Sequence, residues 1–213
     1  MTLPIAVRLL NRIDTSVPWL ADRLHNWLAP HARAITEARD GEPTVIAGEV
    51  IADDEPLVSP AWQLPCVWFH SYTKDRLDIT PRFDFGGIKF RVRDATGDAL
   101  VLGMAASVVR APLPRGDGAA RASARLAGRL HLGFLGHQKK SPDIGEKLIR
   151  PGDYVTVIGY GAWQIDPGGA DKMATLRGET PSIFSFQSNV ARHSPTVICH
   201  GPASARRVLP PGW

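Results

Sequence analysis

Few side chains in this chain stand at the spacings that chemistry requires. Cys66 and His70 lie four residues apart in Leu64–Tyr72, a run that reads as one strand. That strand puts Cys66, Trp68, His70 and Tyr72 on one face and Val67, Phe69 and Ser71 on the other. A reactive thiolate needs a nearby cation or a helix N-terminus to lower its pKa. Four residues of strand span about 13 Å, so His70 does not reach the thiol and Cys66 reads as structural. Cys66, His70, Cys199 and His200 include zinc-ligand types but lack Cys-x2-Cys spacing, and they read as single side chains. One disulfide is open to the two cysteines, yet nothing in the sequence demands it. Two buried thiols in a reducing compartment are the plainer expectation. Asp53-Asp54-Glu55, ahead of Pro56, reads as a solvated turn rather than paired catalytic carboxylates. Ser123 and Ser185 lack a G-x-S-x-G elbow, and Gly86-Gly87 and Gly168-Gly169 read as turns rather than phosphate cradles. No catalytic residue, metal or cofactor is expected, and the sequence makes no positive case for an enzyme.

Binding chemistry has more material. Lys89, Arg91 and Arg93 alternate with Ile88, Phe90 and Val92, the pattern of a half-buried strand with a basic outer face. Arg121, Arg125 and Arg129 recur every four residues in Ala119–Leu130, hence on one face of a short helix, and Lys139 and Lys140 follow. Trp68, Tyr72, Phe83 and Phe85 are candidate stacking rings. Together these would suit a single-stranded nucleic acid, which needs cations along the backbone and aromatic faces for the bases. The bland alternative is a filled core and a solvated charged surface. Trp19 and Trp27 recur with Leu20, Leu24 and Leu28 at helical spacing. They read as a helix packed on the main domain, or as an arm that docks a partner.

The elements that must position these residues are mostly strands. The chain has 213 residues, 44% of them hydrophobic and 22% charged, which excludes a disordered chain and a disulfide scaffold. Twenty glycines and 18 prolines make it turn often, which favours short strands over long bundled helices. Residues 1–41 read as a helical segment, and residues 42–190 as a β domain with a basic, partly helical insertion at 110–150. Residues 191–213 read as a proline-rich tail along the surface. Asp94–Asp98 is a hairpin turn and Arg150–Asp153 another. Thr44–Ile51, Ala99–Leu102 and Tyr154–Tyr160 are strands, with shorter candidates at Met173–Leu176 and Ser182–Phe186. The expected class is mainly β, an antiparallel barrel-like, OB-like domain.

Net charge is +4, but residues 110–150 hold nine basic residues against three acidic ones, so the basic character is local. No stretch approaches the ~20 apolar residues of a membrane span. Met1–Leu10 is apolar but carries Arg8 and lacks a cleavage pattern, so a soluble, cytoplasmic protein is expected.

Val45–Val50 with Gly48, Pro56–Pro60, Leu64–Phe69, Phe90–Gly97, Leu148–Gly159 and Ser182–Ser185 follow one another in a telling order. That order resembles the GIDE-type domain of the mitochondrial membrane-anchored E3 ubiquitin ligases and of many bacterial proteins. The resemblance covers about two-thirds of the chain and implies a barrel-like domain serving as an interaction module. Ligase activity does not carry over, because two cysteines cannot supply the zinc ligands of a RING. The expectation is a non-enzymatic binding module for a protein partner. The alternative is single-stranded nucleic-acid binding through the basic strand face and the 110–150 insertion.

Overall fold

The computed structural model describes residues 32–74, 83–110, 121–122, 124–125, 143–166, 181–187 and 196–200. The strands are β1 (Pro43–Ala52), β2 (Leu57–Val58), β3 (Pro65–Cys66), β4 (Trp68–Lys74), β5 (Phe83–Gly87) and β6 (Lys89–Arg93). They continue as β7 (Asp98–Leu102), β8 (Ala106–Arg110), β9 (Asp143–Ile149), β10 (Tyr154–Ile165), β11 (Ser182–Gln187) and β12 (Thr196–His200).

Five of these close a barrel. β1 pairs with β6, β6 with β7, β7 with β11, β11 with β10, and β10 returns to β1. Every pair is antiparallel except β7–β11. This mainly β, OB-like barrel is the expected class, and closure leaves its five strands without a bare edge. β12 continues the line of β11 along β10, and β8 pairs with it in parallel as the extension of β7.

Alternation decides which side chains enter. Ile46 and Val50 of β1, Phe90 and Val92 of β6, Ala99 and Val101 of β7, and Val155 and Val157 of β10 share one core with Phe184, Phe186 and Ile198. Each large side chain withdrawn from water contributes about 1.5–3 kcal/mol. Phe184 sits edge-on to both Phe186, at 5.4 Å between ring centres, and Trp163, at 5.8 Å. The Trp163 indole N–H donates to the Ala38 carbonyl at 2.9 Å, which ties the chain ahead of β1 to the barrel.

Turn chemistry follows the sequence closely. One Asp94 carboxylate oxygen accepts from the backbone N–H groups of Thr96 and Gly97, closing the β6–β7 hairpin. Its other oxygen accepts from the Ile35 N–H. Gly152 has φ +84°, a left-handed conformation that glycine adopts without steric cost, in the turn before β10.

A second, three-stranded sheet stands beside the barrel, with β4 between β5 and β9. It is made from the β1–β6 and β8–β10 connections. Several expectations change here. Leu64–Tyr72 is not one strand, because the chain breaks between β3 and β4 at Val67, whose N–H goes to Ile149 and whose carbonyl serves Ile88. Gly86-Gly87 is not a turn: both lie in β5, where the Phe69 ring packs so close that a Cβ at Gly86 would meet it at 2.5 Å. The tail is not wholly a surface segment, since Thr196–Cys199 is buried and Val197–His200 pair with β10. Ile35–Glu37 forms a single 3-10 turn, with Ile35 buried in the barrel core. The helix expected at Trp19–Leu28 and the strand at Met173–Leu176 lie outside the described residues, as do Gly168-Gly169. None of the described helices is long and apolar enough to cross a membrane.

Candidate functional site

The basic row is placed on the outer face of β6 as expected, but it is not a free cationic surface. Arg91 donates through Nε to Asp53 at 2.6 Å and through both terminal nitrogens to Asp166 at 2.7 and 2.8 Å. Lys89 lies 3.1 Å from Asp53 and 3.9 Å from Asp54. Arg93 makes a two-toothed contact with Asp98 at 2.7 and 2.9 Å. Three cations thus meet four carboxylates on this face. Burial alone would raise the Asp53 carboxyl, but hydrogen bonds from Arg91 and Lys89 and their charges hold it below its ordinary range. The Arg91 guanidinium is held above its ordinary value chiefly by its bonds to Asp166. Asp53 follows β1 and Asp166 follows β10, so Arg91 clips two barrel connections to one strand.

The aromatic residues gather elsewhere, on one face of the side sheet. Trp68, His70 and Tyr72 form a row along β4, with ring centres 6.1 and 5.8 Å apart. Phe85 lies opposite His70 on β5, and Lys147 opposite it on β9. The Lys147 ammonium is 6.0 Å from the Tyr72 ring centre. Tyr72 packs directly over Gly145, where a Cβ would come within 2.5 Å of the ring. Gly87 at the other end backs onto both Trp68 and the Gly103–Ala105 turn, which brings Met104 to the edge of this face. Trp68 is buried in the barrel core, His70 and Tyr72 are half-buried, and Phe85 is 49% and Met104 58% exposed. Burial, then the Lys147 charge, keeps the His70 imidazole below its ordinary pKa.

The reverse face of the sheet is closed. Phe69 and Leu148 pack with Cys66 under Leu57, Trp62 and Leu64. Glu146, buried there, accepts from Ser71 Oγ at 2.7 Å and from the backbone N–H groups of Ala61 and Trp62 at 3.1 and 3.2 Å. A buried carboxylate with three donors is a structural bracket between β9 and the 59–64 turn.

Cys66 therefore faces Phe69, not His70, because the break at Val67 reverses the expected alternation. Burial, and secondarily the Glu146 charge, pushes its thiol up to about 12. Both cysteines are free and buried. In the native protein at pH 8, Cys66 is expected to resist iodoacetamide while the same thiol reacts within minutes in denaturant. Mass-spectrometric counting of alkylated sites checks this, and rapid native labelling of Cys66 would contradict the buried assignment. Cys199 and His200 lie on β12, where His200 Nε2 is 3.6 Å from Asp153 Oδ2. Among the described residues, no three His, Cys, Asp or Glu side chains gather to hold a metal.

In the insertion, Arg121 and Arg125 are helical and exposed, and Ala122 is buried against Ala61 and Trp62. Arg125 makes a long 3.5 Å contact with the Ala61 carbonyl. Arg129, Lys139, Lys140, Trp19 and Trp27 lie outside the described residues, so the structure does not place them. Sequence reasoning missed Lys147 and Met104. The signal for Lys147 was weak, because Leu148 and Ile149 are adjacent and both buried, which hides the period of two. Comparison with known proteins finds no matching family model, no similar curated protein and no similar solved structure.

Proposed function

We propose that this protein is a non-enzymatic binding module whose partner is a protein. The observation that carries this reading is the solvent-facing side of the β5–β4–β9 sheet. Phe85 is exposed there beside His70, Tyr72 and Lys147, and the exposed Met104 follows Gly103, whose backbone lies against the Gly87 end of the sheet. Aromatic residues and methionine, with few charges, are the composition of a protein–protein interface core. A polyanion needs several uncompensated cations. The Lys89–Arg91–Arg93 row instead has its charge matched by four aspartates, which weakens the nucleic-acid alternative. The order of segments that resembles GIDE-type domains points the same way. Two buried free thiols fit a reducing, cytoplasmic setting.

A peptide-display selection tests the reading, with the full chain as bait and its Phe85→Ala variant as counter-bait. Peptides are expected that bind the wild type and lose about tenfold in affinity to the variant, the usual cost of deleting an interface anchor. A selection that returns no Phe85-dependent peptide would overturn it. So would micromolar binding of a 15-residue oligothymidylate that collapses with salt and with Arg93→Ala.

A further inference from the structure

The segment ahead of β1 is pinned to the barrel mainly by its backbone. Arg33 N–H donates to the Val45 carbonyl at 2.9 Å, Ile35 N–H to Asp94 at 3.0 Å and Thr36 N–H to Thr96 Oγ1 at 3.4 Å. Trp163 holds the other end, its indole N–H on the Ala38 carbonyl and its backbone N–H on the Asp40 carboxylate at 2.8 Å. Ala34, Ile35 and Ala38 are buried. Holding the segment in place therefore uses main-chain groups, Asp40 and three apolar side chains. The side chains of Arg33, Thr36, Glu37 and Arg39 are exposed and take no part in it.

Those four side chains meet at one cavity. It measures about 460 Å³, and among the described residues Arg33, Thr36, Glu37, Ala38 and Arg39 line it. That volume lies in the range of small-molecule sites. The lining is polar, with two guanidiniums, a hydroxyl and a carboxylate against one alanine. Arg39 lies 3.8 Å from Glu42, an exposed pair of little strength, and Arg33 and Glu37 join no ion pair among the described residues. Two forked cations suit a group with more than one negative charge and several acceptor oxygens. A phosphate monoester, with about −1.5 to −2 charges at pH 7, is such a group. Glu37 repels a second anion and accepts from a hydroxyl, so it sets which end of a ligand turns toward the arginines. Backbone already fixed on the barrel costs little ordering when a ligand binds.

We propose that this cavity is a site for a small hydroxylated phosphate monoester of the sugar-phosphate class. Arg33 and Arg39 take the phosphate, while Glu37 and Thr36 take the hydroxyl groups. The site shares no residue with the side-sheet face, so it stands apart from the protein-partner reading above.

Isothermal titration calorimetry on the full chain tests it with ribose 5-phosphate, glucose 6-phosphate and glycerol 3-phosphate, and with inorganic phosphate as the bare anion. At least one ester is expected to bind saturably at up to about 10 mM, and more tightly than inorganic phosphate. Arg33→Gln and Arg39→Gln should each weaken that ester about tenfold, the scale of a lost charged hydrogen bond. Glu37→Gln should weaken it about threefold and leave inorganic phosphate no weaker. All three side chains are exposed, so the variants should melt with wild type, and Phe85→Ala should bind the ester as wild type does. Saturable binding of none of the three esters would overturn the proposal. So would binding that ignores both arginine changes, equal affinity for the esters and inorganic phosphate, or loss of the ester in Phe85→Ala.

Discussion

Gly48→Val is expected to leave the barrel unable to close. Gly48 sits in β1 opposite Val155 of β10, one residue before β1 begins to pair with β6. At this corner the strand leaves one neighbour for the next, and the backbones come very close. A Cβ at Gly48 would lie 2.3 Å from the Arg93 carbonyl oxygen, 2.8 Å from its carbon and 2.9 Å from Val92 Cγ1. Two of those three atoms are backbone of the pairing strand. They cannot yield without opening the β1–β6 ladder and shifting Val92 in the core. Glycine in a strand interior commonly marks such a close approach. Gly48→Ala should already cost more than about 3 kcal/mol, beyond the usual overpacking range because the obstacle is main chain. For a domain of this size that is a fall in Tm of about 6–12 °C. Gly48→Val adds two methyls and should give insoluble or unfolded protein. Gly41→Ala is the control. Its φ is +71° but no atom lies within 4 Å of a Cβ there, so only the left-handed conformation is charged, about 1–2 kcal/mol. Circular-dichroism melts of the alanine variants decide the matter. Equal losses at Gly41 and Gly48 would mean that the corner relaxes and that packing there is loose.

The same corner shows what a sequence discloses and what it withholds. Thr44–Ile51 reads as a strand from its β-branched residues alone, and the alternation in 88–93 correctly puts Phe90 and Val92 inside. Local chemistry sufficed for the Asp94 turn and the Gly152 turn, whose partners lie within a few residues. What was hidden is everything set by distant chain. Nothing near Gly48 in sequence says that Arg93 lies against it. Nothing near Val67 announces the break that turns Cys66 away from His70. β12 was read as tail because the prolines around it outweighed a five-residue strand whose pairing partner is about forty residues earlier on β10. For the candidate site, the row of Trp68, His70 and Tyr72 was legible because a period of two aligns it on one strand, whereas Phe83 and Phe85 were legible only as further candidate rings. The face that row shares with Lys147 was not, because a strand from the far side of the insertion brings it there.

Arg91→Met is the second large effect, and it separates a structural clip from an anion site. Arg91 was read as an outward cation, and its outward position is correct. Its partners Asp53 and Asp166 are 38 and 75 residues away, so no local pattern reveals that the charge is spent inside the molecule. All three side chains are only 10–12% exposed. Methionine keeps the stem but removes five donors and leaves two shielded carboxylates without their shared cation. Breaking a fully buried pair costs about 3–5 kcal/mol and an exposed one about 0–1. This partly shielded cluster, with Lys89 still 3.1 Å from Asp53, should cost about 2–3 kcal/mol, or about 4–12 °C in Tm. Arg91→Lys should recover little, because one ammonium cannot meet Asp166 with two teeth and Asp53 as well. Adding Asp166→Asn to Arg91→Met should recover more than half of the loss, since the burden is the stranded carboxylate. The pH dependence has a definite sign. The Asp53 carboxyl is held below its ordinary 3.8 in the folded state, so its share of stability is present above that value. That share disappears as pH falls through the lower folded value, and the wild-type advantage over Arg91→Met should shrink only in strong acid. If Arg91→Met instead melted like wild type, the ion cluster would contribute no net stability. Lys89, Arg91 and Arg93 would then be open to an outside anion that displaces the aspartates at little cost. A loss of stability without any loss of peptide binding is the outcome that keeps the clip and the aromatic face as separate devices.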